Sequence, residues 1–379
     1  MIPAMPRPLT VVLDLTARCN LKCVMCHFSS YDRLFFAPFD RALSEDGNLP
    51  VEVFEKIAAD LFPRAWRVAL ACSAEPMIHP RFREILAIAG RYGVPDLWFP
   101  TNLLALTEPT ARALIDAGVT TVAASIDGMT KETYEKIRVP AKWERLLASL
   151  DLLNRVKREA GSSTPHLRII FTWMKSNRAE LAQLPAFAAA HGAEELDVRF
   201  VSLTPGVDVT PEILSSEDPR ALHRELGHAA RMAVRRGLRL SSYPEFENAE
   251  DLPASPLGRY LRRRWRGRAG LDRDEYRQHA ERRWQNGCAF PGYQYVIRPN
   301  GAVNPCIYWD RDPIGFYPAD NLQSIAGGAA LERIRVGLRS GHPVGTCDGC
   351  DQRGVLYHLP DTESQVAESN RLRLPAHPA

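Results

Sequence analysis

The sequence predicts an α/β fold, a partial (β/α)6 barrel joined to a small C-terminal domain. Three observations predict it. Strand-like apolar runs alternate with amphipathic helical stretches up to about Pro205, the chain changes character after about Ser242, and a second group of cysteines gathers near the C-terminus. With 379 residues, of which 45% are hydrophobic, the chain can bury one large core and a smaller second one.

The barrel prediction rests on six strands and the helices between them. The strands are predicted at Thr10–Leu15, Arg67–Cys72, Leu97–Thr101, Thr121–Ile126, Leu167–Thr172 and Leu196–Val201. The helices are predicted near Val51–Leu61, Pro80–Tyr92, Thr110–Ala117, Trp143–Lys157 and Ala179–His191. This βα order implies parallel strands in a curved or barrel sheet, with a full eight-unit barrel as the alternative. Ligands of such sheets bind at the carboxyl ends of the strands, where the motifs described below fall.

A loop with three cysteines follows the first strand. Cys19, Cys23 and Cys26 lie in the run Asp14-Leu-Thr-Ala-Arg-Cys-Asn-Leu-Lys-Cys-Val-Met-Cys. Three thiolates are one ligand short of a closed cubane iron–sulfur or zinc site, so one metal position stays open for a ligand that is not protein. A redox C-x2-C pair would leave Cys19 idle, and a Cys3His zinc site would need His27, whose adjacency to Cys26 makes joint ligation awkward.

The C-x3-C-x2-C spacing directly after the first strand resembles the cluster loop of radical S-adenosylmethionine (SAM) enzymes. In that family the open iron is chelated by the amino and carboxylate groups of SAM. The resemblance implies a [4Fe-4S] cluster on Cys19, Cys23 and Cys26, with SAM as the second cofactor.

Further motifs at strand ends carry the same resemblance. The segment that begins Cys72-Ser-Ala-Glu-Pro looks like the family's Gly-Gly-Glu-Pro segment, although Ser73 and Ala74 replace both glycines. Thr101-Asn102 matches a Thr-Asn pair near the SAM ribose, with Leu103 in place of the usual Gly. Ser125-Ile-Asp-Gly128 matches the motif after the fourth strand. Arg138 would pair the SAM carboxylate, with a solvated helix-end cation as the alternative. The SAM contacts implied by the resemblance are Met25, Ser73, Glu75, Asn102, Ser125, Asp127 and Arg138.

A second cysteine group lies near the C-terminus. Cys288 and Cys306 bracket a predicted hairpin, Tyr293–Arg298 and Ala302–Cys306, around Pro299-Asn-Gly301, and Cys347-Asp-Gly-Cys350 follows. This pattern resembles the start of the SPASM auxiliary-cluster domain but lacks its three further cysteines, so it looks like the shorter Twitch form or a truncated SPASM. The resemblance implies a second [4Fe-4S] cluster on Cys288, Cys306, Cys347 and Cys350, and structural zinc is the alternative.

The predicted organisation has four parts. The radical SAM core covers 1–242, an Arg-rich linker covers 243–284, the auxiliary domain covers 285–358, and a polar tail covers 359–379. An insertion, Ser29 to Leu49, is either a lid or a satellite core under a long loop. The arginines of the linker form solvated helix faces or bind phosphates or acidic peptides. Candidates for a general base are Glu245, Glu247 and Asp310.

The amino-acid composition indicates the cellular compartment and the kinds of partner. Eight cysteines in two groups plus a lone Cys72, expected to be a buried small hydrophobe, are typical of metal sites in a reducing compartment, so we expect a cytoplasmic protein. No apolar run reaches membrane-spanning length, and a formal charge of +3 does not by itself imply a nucleic-acid partner.

The function that the resemblance implies is radical chemistry. An electron from a reducing partner such as flavodoxin or ferredoxin enters the first cluster, SAM is cleaved to methionine, and a 5′-deoxyadenosyl radical removes hydrogen from a substrate carbon. The auxiliary cluster then accepts or relays an electron. We expect oxidation or epimerisation of a small polar metabolite of the amino sugar or aminocyclitol type, since the first strand begins near residue 10 with no leader-peptide-binding domain before it. The alternatives are a maturase of a ribosomally made peptide and a non-catalytic iron–sulfur or zinc protein.

Overall fold

The computed structural model describes residues 9–26, 47–201, 208–214, 217–243 and 288–348, apart from 289, 292 and 310. Over these residues the strands are β1 (Leu9–Leu13), β2 (Ala65–Ala69), β3 (Asp96–Thr101), β4 (Thr121–Ser125), β5 (His166–Trp173), β6 (Glu195–Phe200), β7 (Arg239–Tyr243), β8 (Gln294–Ile297), β9 (Ala302–Asn304) and β10 (Gly315–Phe316). All ten form one sheet in the order β10-β9-β8-β1-β2-β3-β4-β5-β6-β7.

The helices occupy the connections between the strands. They are α1 (Val51–Leu61), α2 (Phe82–Gly90), α3 (Glu108–Asp116), α4 (Lys131–Ile137), α5 (Trp143–Glu159), α6 (Leu184–Ala190), α7 (Pro219–Arg235), α8 (Leu322–Ala326) and α9 (Ala329–Arg339). Short 3-10 turns lie at Phe62–Arg64, Pro76–Ile78, Lys175–Ala182, Thr210–Glu212 and Gly345–Cys347. Among the described residues, no helix combines the length and apolar character that a membrane crossing requires.

Alternate residues of each strand point to opposite faces of the sheet, which decides where the core lies. One face contributes Val11, Val68 and Val122 to the main core, which also contains the buried residues of the helices. On the other face Val12, Ala69 and Val296 form a separate apolar cluster, to which Trp98 adds its ring. The face opposite the helices therefore has its own apolar lining, and we call it the inner face and the space that it borders the lumen.

The predicted parallel βα order is confirmed, because β1 to β7 pair in parallel from neighbour to neighbour. The sheet is larger than the six predicted strands, since β7 continues it beyond β6. The second strand also ends earlier than predicted, at Ala69, because the chain there turns toward Asp14. The short helix α4 had no sequence prediction; Thr130 caps it by accepting a hydrogen bond from the backbone of Thr133.

The predicted C-terminal hairpin is present, and its position adds new information. Strands β8 and β9 pair antiparallel, with the turn at Asn300 and Gly301. Strand β8 also pairs in parallel with β1, so the hairpin extends the barrel sheet at its first strand. This contact brings the C-terminal cysteine segment to the strand that leads into the cysteine loop. The domain boundaries themselves stay predictions.

Candidate active site at the carboxyl ends of the strands

The cysteine loop, residues 19–26, follows the carboxyl end of β1 and is hydrogen-bonded to the last residue of α4 and to the segment after it. The backbone N–H of Lys22 donates to the carbonyl of Val139 at 2.6 Å, and that of Val24 donates to the carbonyl of Ile137 at 3.0 Å. These two backbone bonds fix the path of the loop through protein contacts alone. The backbone that carries the three cysteines is therefore already positioned before a metal centre binds.

The three thiols differ in their surroundings. Cys19 is exposed, Cys26 is half-buried and Cys23 is buried. The backbone N–H of Leu21 donates to the Cys19 sulfur at 3.4 Å, and that of Cys26 donates to the Cys23 carbonyl at 3.0 Å. Burial raises the pKa of the Cys23 thiol to about 11, while the positive charge of Arg138 opposes this rise. A bound metal ion would offset the burial cost, because metal ligation deprotonates a thiol.

The three cysteines of the loop are a donor set that a cubane cluster can use. Within the residues that the structure describes, no three His, Cys, Asp or Glu side chains converge on one metal-ion position. A cubane cluster spreads its thiolate ligands over separate iron atoms, so its cysteines do not need to converge on one point. Three cysteines on one loop leave the fourth iron open. The assignment of Cys19, Cys23 and Cys26 as cluster ligands stays a prediction with which this chemistry is consistent.

Glu75, which follows β2, is the most constrained carboxylate near the loop. It is 2% exposed. Its Oε1 accepts hydrogen bonds from the Thr101 hydroxyl at 2.8 Å and the Met77 N–H at 3.1 Å, and its Oε2 accepts one from the Asn102 N–H at 2.7 Å. Burial raises its pKa to about 7 against these three donors. One acceptor position on Oε2 remains for a positively charged group such as an amine, which would favour the ionised form.

Asn102 connects the end of β3 to the cysteine loop. Its Nδ2 donates to Asn20 Oδ1 at 2.7 Å and lies 4.0 Å from the Cys19 sulfur. Leu103, the next residue, has φ of +68°, in the left-handed region. Glycine would adopt this φ without strain, and this chain places a fully buried leucine there instead. Its N–H donates to the Thr101 hydroxyl at 2.9 Å.

Asp127 and Arg138 form a buried ion pair. The guanidinium Nε and Nη2 donate to Asp127 Oδ2 at 2.6 and 2.5 Å, and Asp127 Oδ1 accepts from the Thr172 N–H at 2.6 Å. Arg138 is 8% exposed, so the alternative of a solvated helix-end cation is wrong. Asp127 directs the guanidinium, and the role of both residues toward SAM stays a prediction.

The turn that carries Asp127 depends on Gly128. A Cβ at Gly128 would lie 2.5 Å from the backbone nitrogen of Tyr134, so only glycine lets α4 approach this closely. Glu180 holds the start of α4 by accepting hydrogen bonds from the hydroxyls of Thr130 and Thr133 at 2.8 and 2.6 Å. The motif therefore places Arg138, which directly follows α4, over Asp127.

Three other predicted SAM contacts differ in their burial and their partners. The Ser73 hydroxyl is buried and has no hydrogen-bond partner among the described residues, as expected of a group whose partner is a ligand. Ser125 ends β4 and is half-buried on the inner face. Met25 is half-buried and packs against the cluster of Ile137 and Met174. The orphaned Ser73 hydroxyl is the observation that best fits a bound cofactor here.

Asp14 is a site residue that sequence reasoning missed. Its Oδ1 accepts hydrogen bonds from the backbone N–H groups of Cys72 and Ser73 at 2.8 and 3.0 Å, and its Oδ2 pairs with Arg298 Nη1 at 2.6 Å. Asp14 and Arg298 are 1% and 3% exposed. An acidic residue just before the cysteine loop was the available signal. The expected burial of Cys72 is wrong, because its side chain is exposed and only its backbone is held.

The C-terminal cysteines are partly described. Cys288 and Cys306 are half-buried and Cys347 is buried. Trp309 connects two of their segments. Its backbone N–H donates to the Cys306 carbonyl at 3.4 Å, and its ring lies 3.3 Å from where a Cβ on Gly345 would be, at the start of the turn that ends at Cys347. The four-cysteine set stays a prediction.

Several predicted residues lie outside the described residues, so the structure does not test them. These are the fourth C-terminal cysteine, Cys350, and the candidate bases Glu245, Glu247 and Asp310. His27, most of the insertion, the arginine run and the polar tail also lie outside.

The sequence profile of one family matches the region that holds this geometry. Residues 13–169 match the Radical SAM superfamily. The match begins at the end of β1 and covers the cysteine loop, Glu75, Asn102, Ser125, Asp127 and Arg138.

Curated relatives are similar over part of their length. The AdoMet-dependent heme synthase of Methanosarcina barkeri is 27% identical over 227 residues, which cover 59% of this chain and 59% of that protein. The mycofactocin maturase MftC of Mycobacterium tuberculosis is 26% identical over 214 residues, or 56% of this chain and 49% of that protein. The chain spans about half the length of the curated relatives it matches.

A solved structure shares the fold of this chain. SuiB of Streptococcus suis bound to S-adenosylmethionine has a TM-score of 0.61 at 17% identity, covering 88% of this chain and 68% of that one. SuiB bound to its precursor peptide SuiA gives the same TM-score at 16% identity. The coverage shows that the α/β fold likeness extends over most of the chain.

Proposed function

We propose that this protein is a radical SAM enzyme that cleaves SAM reductively and removes a hydrogen atom from a substrate carbon inside the lumen. The observation that carries the proposal is the arrangement around the cysteine loop: Glu75, Asn102 and the Asp127–Arg138 pair follow three successive strands on the side of the sheet where the loop lies. SAM bound to a cluster on this loop supplies, after one-electron reduction, methionine and a 5′-deoxyadenosyl radical.

The residues of the chain bind and orient the cofactor. Glu75 accepts a hydrogen bond from the SAM amino group at its remaining acceptor position, which suits a carboxylate whose pKa burial raises to about 7. Arg138, fixed by Asp127, presents its other guanidinium N–H groups to the SAM carboxylate. The Ser73 hydroxyl donates to a polar group of SAM and thereby gains the partner that it lacks. Met25, Asn102 and Ser125 complete the pocket near the nucleoside.

We further propose that Cys288, Cys306, Cys347 and Cys350 hold an auxiliary [4Fe-4S] cluster that exchanges an electron with the substrate site. Support comes from the pairing of β8 with β1, which brings this segment to the strand that leads into the first cluster. A flavodoxin or ferredoxin is the proposed reducing partner. A cluster that accepts an electron suits an oxidoreductase reaction in which the substrate loses two electrons in total.

The proposed substrate is a small polar metabolite, which the reaction oxidises or epimerises. A second candidate fits at least as well: maturation of a peptide, favoured by the fold shared with SuiB, which binds a precursor peptide, and by the similarity to MftC. The two candidates share every residue role given above and differ only in what enters the lumen.

Metal content tests the two-cluster proposal. Anaerobically reconstituted protein should contain about eight iron atoms per chain, with matching sulfide, because each four-cysteine or three-cysteine set holds four irons. Iron, sulfide and zinc are measured on the same sample. About four iron atoms and one zinc per chain would show that the C-terminal cysteines hold structural zinc.

A further inference from the structure

The inner face of the last three barrel strands carries charged side chains. Leu196 and Val198 of β6 are fully buried in the main core, so Glu195, Asp197 and Arg199, which alternate with them, belong to the lumen face. On β5 the same face carries Arg168, whose guanidinium lies 5.8 Å from the ring centroid of Trp98. Because Trp98 packs against the inner apolar cluster, Arg168 lies on the lumen face.

These charges are arranged in layers along the strands. In the layer nearest the amino ends of the strands, Glu195 Oε2 accepts a hydrogen bond from Arg168 at 3.1 Å and forms an ion pair with Arg239 of β7, whose Nη2 lies 3.2 Å away. Arg199 lies closer to the carboxyl ends of the strands. Its Nε and Nη2 donate to Asp197 at 3.0 and 2.7 Å. Among the described residues, three arginines thus meet two carboxylates on this part of the lumen face, an excess of one positive charge.

Arg199 is level with the proposed SAM pocket. The strand register pairs it with Thr172 of β5, whose N–H donates to Asp127, so one strand separates Arg199 from the Asp127–Arg138 pair. Arg199 is therefore near the carboxyl edge of the lumen, where hydrogen abstraction would take place.

Asp197 orients the guanidinium of Arg199 but uses only some of its N–H donors. Both recorded hydrogen bonds go to Asp197 Oδ2 on the same strand, and among the described residues Nη1 makes none. Its side chain is 40% exposed, whereas that of Asp197 is 14% exposed. The pair resembles an anion receptor, because a planar guanidinium oriented by one carboxylate still presents an N–H edge to a second anion.

We propose that Arg199 binds an anionic group of the substrate, a carboxylate or a phosphate, and so determines which C–H bond faces the radical. The proposal rests on the proposed function and adds the chemical class of its substrate. It applies equally to a carboxylated or phosphorylated metabolite and to an acidic side chain of a peptide, because both present the same anion.

Inorganic phosphate is the first probe. The midpoint temperature of thermal unfolding is measured for the reconstituted holoenzyme with SAM at increasing phosphate concentrations. Chloride is added to keep the ionic strength constant. We expect the unfolding temperature to rise to a plateau for wild type and for the control R236Q, which changes the exposed arginine directly after α7. Arg199→Gln should lose that rise, while its iron content and SAM affinity match wild type. Equal shifts in wild type and Arg199→Gln, or no shift in either, overturn the proposal.

The second measurement uses substrate sources. A metabolite extract and a peptide extract are each divided by anion exchange, and formation of 5′-deoxyadenosine is followed with each fraction. The retained, anionic fraction of one extract should stimulate wild type; Arg199→Gln should need on the order of ten- to hundredfold more of it, and Arg199→Lys less than that. Stimulation by unretained fractions alone overturns the proposal. A wild type that forms no 5′-deoxyadenosine contradicts the proposed function instead, and the phosphate result stays separate from that outcome.

Discussion

Replacing Cys19, Cys23 and Cys26 together by alanine should abolish reductive cleavage of SAM. The three thiols are on one loop whose backbone is fixed by the segment after α4, so the substitutions remove the cluster ligands without removing the bonds from Lys22 and Val24. Iron should fall from about eight to about four atoms per chain, because the C-terminal ligand set shares no residue with the loop. Formation of 5′-deoxyadenosine under dithionite, with iron analysis of the same sample, measures both effects.

The matched control replaces the exposed Cys72, which lies near the loop but is not a predicted ligand. Cys72→Ala should retain about eight iron atoms per chain. If the triple variant still formed 5′-deoxyadenosine above a sample without enzyme, the assignment of the SAM-binding cluster would be wrong.

Asp14→Asn should destabilise the protein and weaken SAM binding together. The substitution leaves the buried Arg298 without its counter-charge, which costs about 3 to 5 kcal/mol in comparable buried pairs. Both N–H groups of Cys72 and Ser73 donate to Asp14 Oδ1, whereas Arg298 donates to Oδ2, and asparagine has one oxygen and one NH2 group, so either the backbone next to the proposed SAM contact or Arg298 then faces a donor. Urea unfolding by circular dichroism gives the stability change, and equilibrium dialysis gives the SAM affinity.

Two further variants separate stability from positioning. Asp96→Asn breaks a pair with Arg67 that lies near the amino ends of β2 and β3 and is about a fifth exposed, so it should cost about 1 kcal/mol and leave SAM affinity unchanged. The double variant Asp14→Leu with Arg298→Met removes the unpaired charge and should recover part of the stability. Its SAM affinity should stay low, since no acceptor holds the Cys72–Ser73 backbone. Full recovery of SAM binding would contradict a positioning role for Asp14.

The sequence predicted the parts of this fold whose signals are local. The cysteine spacing, the Glu75 segment and the Asp127 motif each follow an apolar run, and parallel strands bring such segments to one edge of a sheet. The hairpin around Asn300 was equally predictable, because its turn residues are adjacent in the chain.

Long-range contacts could not be predicted in the same way. Asp14 and Arg298 are separated by 284 positions, and nothing near either residue indicates the other. Strand β7 was not counted because its five residues, Arg-Leu-Ser-Ser-Tyr, include one aliphatic side chain, whereas β6 has the alternating pair Leu196 and Val198. The resemblance assigned Arg138 to the SAM carboxylate, but its pairing with Asp127 could not be predicted, because it depends on the packing of α4 over Gly128.

The most direct test of the proposed chemistry follows one hydrogen atom. Dithionite-reduced enzyme is given SAM and a deuterated low-molecular-weight extract, or a deuterated peptide fraction with a leader-binding partner. Removal of hydrogen from substrate carbon predicts deuterium in 5′-deoxyadenosine, together with faster formation than in the absence of extract, because a bound substrate places a C–H bond within reach of the radical. Label from the metabolite extract supports the small-molecule candidate, and label from peptides alone supports the maturase. Cleavage of SAM that never transfers deuterium from either source would contradict the proposed hydrogen abstraction.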